Sequence, residues 1–135
     1  MSTRDWGIVR DCMRTEVTEV DGKMDVLTAL KMMKKVGATS LIVKRRDEND
    51  EYGLLLFSDI AKKVIALDRA PERVNVYEVM AKPILSVRPD MQVRYCARLF
   101  ENFGISHAPV VENDKIVGIV SFYLLVLKGL APDLE

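Results

Sequence analysis

The chain has a single histidine, two cysteines and no excess of charge of either sign. Its 20 basic and 20 acidic side chains cancel at pH 7, so the overall charge indicates no polyanionic partner such as nucleic acid or an anionic membrane. Cys12 and Cys96 form no CxxC pair and no cluster with the histidine. We therefore expect neither a metal site nor a disulfide framework, and predict two ordinary buried thiols.

Long apolar runs are absent as well. No stretch approaches the roughly 20 apolar residues of a membrane-spanning helix. The start, "MSTRDWGIVRD", lacks the apolar core of a signal peptide. We therefore predict no membrane association and a cytoplasmic location. The 135 residues, 49% of them apolar, are enough for an ordinary globular domain with its own core.

An internal repeat is the main feature that is present. With a shift of 67 residues and no gap, the two halves match in both identity and character. Beyond the first matched strands the shift becomes 65, because the first copy has two extra residues in its charged loop "KRRDENDEY". Aligned pairs include Met13 with Met80, Val20 with Val87, Gly37 with Gly104, Val43 with Val110, and Gly53 with Gly118.

Each copy contains the same series of predicted elements. An amphipathic helix ends at Gly37 or Gly104, where a glycine allows φ > 0. A short strand, a polar turn and a second strand follow, as in "HAPVVENDKIVGIVSF". The last element is a helix, "SDIAKKVIAL" or "YLLVLKGL". Ser58 is predicted to cap the first of these helices, with Asp59 in its opening turn, where the helix dipole favours a negative charge.

The pattern predicts an α/β (α+β) protein of two pseudo-symmetric β-α-β-β-α repeats. A copy of about 60 residues is too small to bury its sheet comfortably alone, so the two repeats are expected to pack through their sheets. The predicted boundaries are an extension at 1–8, repeat one at 9–68, a linker at 69–75, repeat two at 76–130 and a tail at 131–135.

These segments resemble the tandem cystathionine-β-synthase-type domain, the CBS pair or Bateman module. The likeness runs from about Val9 to Gly129, and it is carried by "VMAKPILSVRPDMQV", "GISHAPVVENDKIVGIVS" and the first-copy segments "CMRTEVTEV", "GATSLIV" and "GLLLFSDI". The resemblance implies a homodimer that binds an adenine nucleotide or adenosyl ligand, such as AMP, ADP, ATP or S-adenosylmethionine, in clefts between its repeats. It also implies a regulatory role without catalysis, exerted on an effector protein that the sequence does not identify.

The family's ligand signature resembles G-h-h-[Ser/Thr]-x-x-Asp, where h is apolar, and here it is split between the copies. Copy one keeps Asp59, preceded by Ser58, but has Leu56 at the Ser/Thr position. Copy two keeps Ser121 but has Leu124 in place of the aspartate. An ionised carboxylate accepts hydrogen bonds from both ribose hydroxyls, so the copy with Asp59 is expected to bind the ligand.

Several of these residues have a second, structural interpretation. Asp59 is either a ribose ligand or a first-turn acid that stabilises its helix. Ser121 is either a ligand contact or a serine bonded to nearby backbone. Tyr123 lies where the family often has a polar residue directed toward phosphate, although packing or an interface explains an aromatic equally well. Thr15 and Lys82 flank the strands that begin the two copies and are candidates for a phosphate contact or for a solvated surface.

His107 and Pro109 lie together in "FGISHAPVV". The resemblance implies a ligand contact for His107 at the mouth of a cleft; the alternative is an imidazole bonded to backbone. General acid-base chemistry requires a partner group, and no nucleophile motif accompanies the histidine, so we predict no catalysis. Pro109 has no backbone donor, which favours a sheet edge or a strand start.

The sequence thus predicts a stand-alone sensor that binds an adenosyl ligand and signals to a partner. The alternative is a structural dimerisation or interaction module whose clefts no longer bind a ligand, favoured by the leucines at 56 and 124.

Overall fold

The computed structural model describes residues 4–83 and 85–130, so the predicted tail at 131–135 and the first three residues of the extension lie outside the described residues. The elements, in chain order, are α1 Val9–Cys12, β1 Glu19–Val20, α2 Val26–Val36, β2 Ser40–Val43, β3 Gly53–Leu56, α3 Phe57–Ile60, a π-helical segment Ala61–Ile65, a 3-10 turn Pro71–Arg73, α4 Val76–Val79, α5 Val93–Phe103, β4 His107–Glu112, β5 Lys115–Ser121 and α6 Phe122–Leu130. The predicted α/β class is confirmed.

The described residues form two compact units, and each unit combines parts of both sequence repeats. The first unit is Thr18–Pro83, and the second unit consists of residues 4–17 together with 85–130. The opening segment of each repeat therefore lies in the unit that contains the body of the other repeat. Segment 76–83 belongs to the first unit, and segment 9–17 belongs to the second.

The sheets of the two units have equivalent strand pairings. In the first unit, β1 runs parallel to β2 with Val20 opposite Val43, and β2 is antiparallel to β3. In the second unit, β4 is antiparallel to β5, and Val87 forms a parallel bridge with Val110. These two valine pairs are the ones that the 67-residue shift superimposes.

The exchanged segments occupy equivalent places in both units. Ala81 forms an antiparallel bridge with Leu54 in the first unit, and Arg14 forms one with Ile119 in the second. The short helices α4 and α1 are also held alike. Val76 N donates to Met24 O at 2.8 Å, as the corresponding N–H in α1 donates to Met91 O at 2.8 Å.

The long helices α2 and α5 end as predicted. The glycines at their C-termini, Gly37 and Gly104, have φ values of 68° and 64°. A glycine adopts this left-handed conformation without the steric cost that a Cβ atom brings. At the start of α2, the Asp25 side chain accepts a hydrogen bond from Thr28 N at 2.9 Å, which satisfies one of the free donors of the first turn.

Each unit has its own hydrophobic core, and the two cores use equivalent sequence positions. Met33 of the first core and Phe100 of the second are the largest of their fully buried side chains. Both positions face the sheet from the long helix of their unit. The first core also contains Val76 and Val79 from α4, and the second contains Val9 and Cys12 from α1.

Both cysteines are buried thiols, as the sequence predicts. Cys12 and Cys96 lie in the same core cluster of the second unit. Burial, with a smaller contribution from nearby Cys12, raises the pKa of Cys96 to about 11. Burial also raises the pKa of Cys12. Both groups are therefore protonated thiols at neutral pH, the less reactive form.

The helix after β3 starts earlier than predicted. α3 begins at Phe57, directly after the last residue of β3, and its N-cap residue is Leu56, which supplies no side-chain hydrogen bond. The prediction that Ser58 caps this helix is therefore wrong, because the strand passes into the helix without the intervening turn that the prediction assumed. Asp59 does lie in the first turn. The helix continues through the π-helical segment Ala61–Ile65.

Candidate functional site

Asp59 has a carboxylate oxygen that is buried and unsatisfied. Among the described residues, Asp59 Oδ2 finds no hydrogen-bond partner, although its surface is closed to solvent. A buried acceptor without a donor costs about 1–3 kcal/mol, and more for a charged group, so such groups in folded proteins normally have a partner. Asp59 lies in the first turn of α3, where a negative charge is favoured.

Ser58 precedes Asp59 and is exposed on the same helix. Its hydroxyl does not cap the helix, so the group keeps its capacity to donate and accept. Leu56, at the Ser/Thr position of the family signature, is the last residue of β3 and adds no polar group beside the carboxylate. The first unit therefore presents one acidic acceptor and one adjacent hydroxyl.

Lys82 lies beyond the opposite end of β3 from Asp59 and is held by the charged loop before that strand. Its Nζ donates to Asp50 Oδ1 at 3.0 Å and also to the carbonyl oxygen of Glu51. Asp50 in turn accepts from Arg46 N at 2.9 Å. Lys82 is therefore separated from Ser58 and Asp59 by the length of the strand, roughly 3.3 Å for each of its residues.

Asp50, in the charged loop "KRRDENDEY", was not predicted as a site residue. Its side chain is only 9% exposed. The Arg46 backbone N–H, followed by the Lys82 ammonium, holds the pKa of Asp50 well below its usual range. Arg46 Nε and Asp50 Oδ2 also form an ion pair at 3.3 Å, which was not predicted from the sequence.

Replacing Asp50 by asparagine is expected to reduce the loss of stability in acid. Because the folded-state pKa is lowered, the carboxylate stabilises the fold at pH values above its usual pKa of 3.8, and this contribution disappears as the pH falls toward the folded-state pKa. Urea unfolding at pH 6 and pH 3 measures the effect. Asp47→Asn, in the same loop, is the control. An equal acid-induced loss of stability in Asp50→Asn and the wild type would contradict this role.

The second unit brings His107 and Ser121 together. They are partners in the register of β4 and β5. Ser121 is 8% exposed, and its Oγ accepts a hydrogen bond from Leu124 N at 3.2 Å at the start of α6. The Oγ of Ser106 lies 2.8 Å from Nδ1 of the histidine. Ser121 is therefore bonded to nearby backbone, as its structural interpretation predicted. The Ser121 hydroxyl only accepts in this bond, so its proton is still available to a ligand.

The other candidates of this unit are spread over its surface and its sheet. Thr15 is exposed, one residue beyond the bridge of Arg14 to Ile119. Tyr123 is exposed on α6. Pro109 lies within β4, which pairs with β5 on one side and with Val87 on the other. The expectation of a sheet edge or strand start for this proline is therefore wrong: its carbonyl accepts from Val87 N at 3.0 Å, so only its nitrogen lacks a partner.

Neither a metal-binding cluster nor a membrane-spanning helix occurs in the described part of the chain. Residues 4–83 and 85–130 contain no group of three or more histidine, cysteine or acidic side chains placed to hold a metal ion. Within the same ranges, no helix combines the length and the apolar character that crossing a membrane requires.

The chain belongs to the CBS domain family, whose model matches residues 9–66 and 76–126. The hexameric CBS-CP12 protein from bloom-forming cyanobacteria has a similar structure, with a TM-score of 0.86 and 36% identity, over 93% of this chain and 73% of that one. The CBS domain-containing protein YhcV of Bacillus subtilis is 30% identical over 115 residues, which are 84% of this chain and 79% of that protein. The predicted resemblance is confirmed.

Other relatives are considerably longer. The chain is 29% identical to an uncharacterized protein of Methanopyrus kandleri over 109 residues and spans about half, 55%, of its length. It is 32% identical to a homoserine O-acetyltransferase of Methanosalsum zhilinae over 113 residues, but spans only 22% of that enzyme. The likeness to the enzyme is therefore confined to a small part of it, and the family points to a regulatory kind of protein.

Proposed function

We propose that this protein is a non-catalytic sensor that binds an adenine nucleotide or another adenosyl ligand through Asp59 and signals to a partner protein. The observation that supports this most directly is the buried Oδ2 of Asp59, which has no partner among the described residues. A bound molecule that brings hydroxyl donors to this oxygen satisfies it, whereas water has little access to it.

The vicinal hydroxyls of a ribose suit an ionised carboxylate. Each hydroxyl donates one hydrogen bond, and an aspartate accepts from two donors at once. Bonds to a charged acceptor are shorter and stronger than neutral ones. The ribose is common to AMP, ADP, ATP and S-adenosylmethionine, so the contact with Asp59 selects this class of ligand. Other residues then distinguish between the members of the class. Because Leu124 stands at the equivalent place in the second copy, we expect one ligand per chain.

Signalling follows from the difference in ligand affinity between conformations. A ligand that binds one conformation more tightly shifts the population toward it, and a partner that distinguishes the two conformations detects the change. Catalysis has no part in this scheme.

A thermal-shift titration tests the proposal. The purified protein is melted with AMP, ADP, ATP or S-adenosylmethionine over a range of concentrations. A ligand present at 100 times its dissociation constant adds about 2.7 kcal/mol to the free energy of unfolding. We expect a concentration-dependent rise in Tm with at least one of the four. The absence of any rise would favour the structural module as the function.

Self-association is the second candidate function, and α6 is the observation that favours it. Four side chains spaced at i, i+3, i+4 and i+7 form an apolar stripe that is between 36% and 70% exposed: Tyr123, Val126, Leu127 and Leu130. Such a stripe normally covers a core or an interface. The similar CBS-CP12 protein is hexameric, and we propose that this stripe joins copies of the present chain, a homodimer being the smallest assembly.

Replacing Leu127 by glutamate is expected to weaken that association about tenfold or more, because burial of a charge in an apolar contact is costly. Analytical ultracentrifugation over a concentration series measures the dissociation constant. Lys62→Glu is the matched control, since Lys62 is the exposed residue at the equivalent position of the first copy. A monomeric wild type, or equal weakening in both variants, would contradict the assignment of the stripe as the interface.

A further inference from the structure

Helix α5 carries two arginines arranged around one exposed tyrosine. Arg94 and Arg98 are four residues apart, so they are neighbours on one side of the helix, with Cβ atoms roughly 5–6 Å apart. Their guanidinium carbons lie 4.9 and 5.6 Å from the centre of the Tyr95 ring. Both arginines are exposed, and the tyrosine is 47% exposed. The ring supports two cationic groups at the surface of the second unit.

Neither arginine is neutralised within the described residues. The ion pairs of residues 4–83 and 85–130 join other side chains, and none of them contains Arg94 or Arg98. Glu101, three residues beyond Arg98 on the same helix, forms no ion pair with it in that part of the chain. The single hydrogen bond of the group runs from Arg94 Nη2 to the Tyr95 hydroxyl at 3.2 Å and leaves the charge uncompensated.

The fold does not require this arrangement. The equivalent positions of α2 in the first copy are Leu27, Thr28 and Lys31, which provide neither an aromatic ring nor a second cation. Both helices nevertheless end in the same glycine conformation and pack through equivalent buried positions. The arginine pair is therefore a feature of the second copy alone and not part of what the two repeats share.

We propose that Arg94, Tyr95 and Arg98 form a docking surface for an acidic peptide segment of a partner protein. Guanidinium groups bind carboxylates through two parallel hydrogen bonds, and stacking on a ring orients them for that geometry. Side chains two residues apart on an extended peptide point to the same face, and their Cα atoms are roughly 6.6 Å apart, which is similar to the roughly 5–6 Å between the Cβ atoms of the two arginines. The surface lies in the second unit, and the proposal does not depend on nucleotide binding at Asp59.

A nucleic acid suits this surface less well. A protein that binds nucleic acid needs several basic side chains along the sugar–phosphate backbone, because each phosphate contact adds only part of the affinity. The helix provides two cations, and Gln92, Glu101 and Asn102 stand at its two ends. Charge complementarity therefore favours a short segment with two or three carboxylates.

Fluorescence anisotropy at low salt, with a labelled peptide that alternates glutamate and serine, tests the surface in the whole 135-residue chain. Arg94→Gln/Arg98→Gln is expected to bind about tenfold more weakly than the wild type, from two charge-assisted contacts. Glutamine retains good helix propensity, and circular dichroism checks the fold. Lys31→Gln/Lys34→Gln removes the same charge from α2 and is expected to bind like the wild type.

Three results would overturn the proposal. The first is no measurable binding of the peptide to the wild type. The second is an equal loss in the arginine and lysine variants, since net charge alone would then account for binding. The third is tighter binding of a labelled 12-nucleotide RNA that the acidic peptide fails to displace, which would make the surface a nucleic-acid site.

Discussion

Replacing Gly118 by alanine is expected to lower the free energy of unfolding by about 1–3 kcal/mol, the usual cost of overpacking a well-packed site. A Cβ atom at this position would lie 2.8 Å from the backbone carbonyl oxygen of Arg14 and 2.9 Å from Met13 Sδ. The carbonyl belongs to the segment exchanged from the first repeat, which forms the bridge of Arg14 to Ile119. A methyl group on the glycine therefore separates that segment from the second unit. Urea denaturation measures the difference.

Gly53→Ala provides the matched comparison, since Gly53 occupies the equivalent position in the first unit. A Cβ atom there would first meet Met80 Sδ, the end of a flexible side chain that is able to move aside. We therefore expect a smaller loss of stability from Gly53→Ala than from Gly118→Ala. A larger loss at Gly53, or no loss at either position, would contradict the close approach of the exchanged segments in the two units.

Replacing Asp59 by alanine is expected to weaken adenosyl-ligand binding by about tenfold to a hundredfold. The estimate follows from the roughly 1.5–3 kcal/mol that a hydrogen bond to a charged group contributes. The substitution removes a buried acceptor that has no partner in the described residues, so the fold itself is expected to lose little stability. Isothermal titration calorimetry, with the ligand that gives the largest thermal shift, measures the affinity.

Glu72→Ala is the control for this second prediction. Glu72 is an exposed acid of the same unit and was not predicted as a ligand residue, so its replacement is expected to leave the affinity unchanged. Unchanged affinity in Asp59→Ala, or an equal loss in both variants, would mean that the carboxylate does not hold the ligand.

The regular elements could be predicted from the sequence because their signals are local. The helix ends at Gly37 and Gly104 follow from the φ > 0 that only glycine adopts readily. The hairpin between β4 and β5 turns at Asn113 and Asp114, both with positive φ, as the "ND" pair predicts. The internal repeat is visible in the sequence alone, because aligning the two halves requires no knowledge of contacts in three dimensions.

The exchange of opening segments could not be predicted in the same way. The alignment of Met13 with Met80 shows that the two segments are equivalent, but an equivalent segment fits either unit equally well. The choice depends on chain connections in three dimensions, and it appears only in contacts such as the hydrogen bond from Val9 N to Met91 O at 2.8 Å.

The candidate site was predicted in part. The predicted position of Asp59 in a first helical turn is confirmed, since α3 begins at Phe57, two residues before it. The Ser58 cap was wrong, since helix propensity does not reveal that β3 and α3 join without a turn. The engagement of Lys82 with Asp50 depends on the bridge of Ala81 to Leu54, a contact between residues far apart in sequence. The roles of the site residues in ligand binding stay predictions.

The contact between Asp59 and a ribose hydroxyl is tested most directly by measuring the affinity of the wild type and of Asp59→Ala for two compounds: the adenosyl ligand that gives the largest thermal shift, and its 2′-deoxy form. We expect the wild type to bind the ribose form about tenfold more tightly, because the lost hydroxyl leaves the carboxylate unsatisfied. We expect Asp59→Ala to bind the two forms alike. The same preference for the ribose form in both proteins, or no preference in the wild type, would contradict a role of Asp59 in ribose binding.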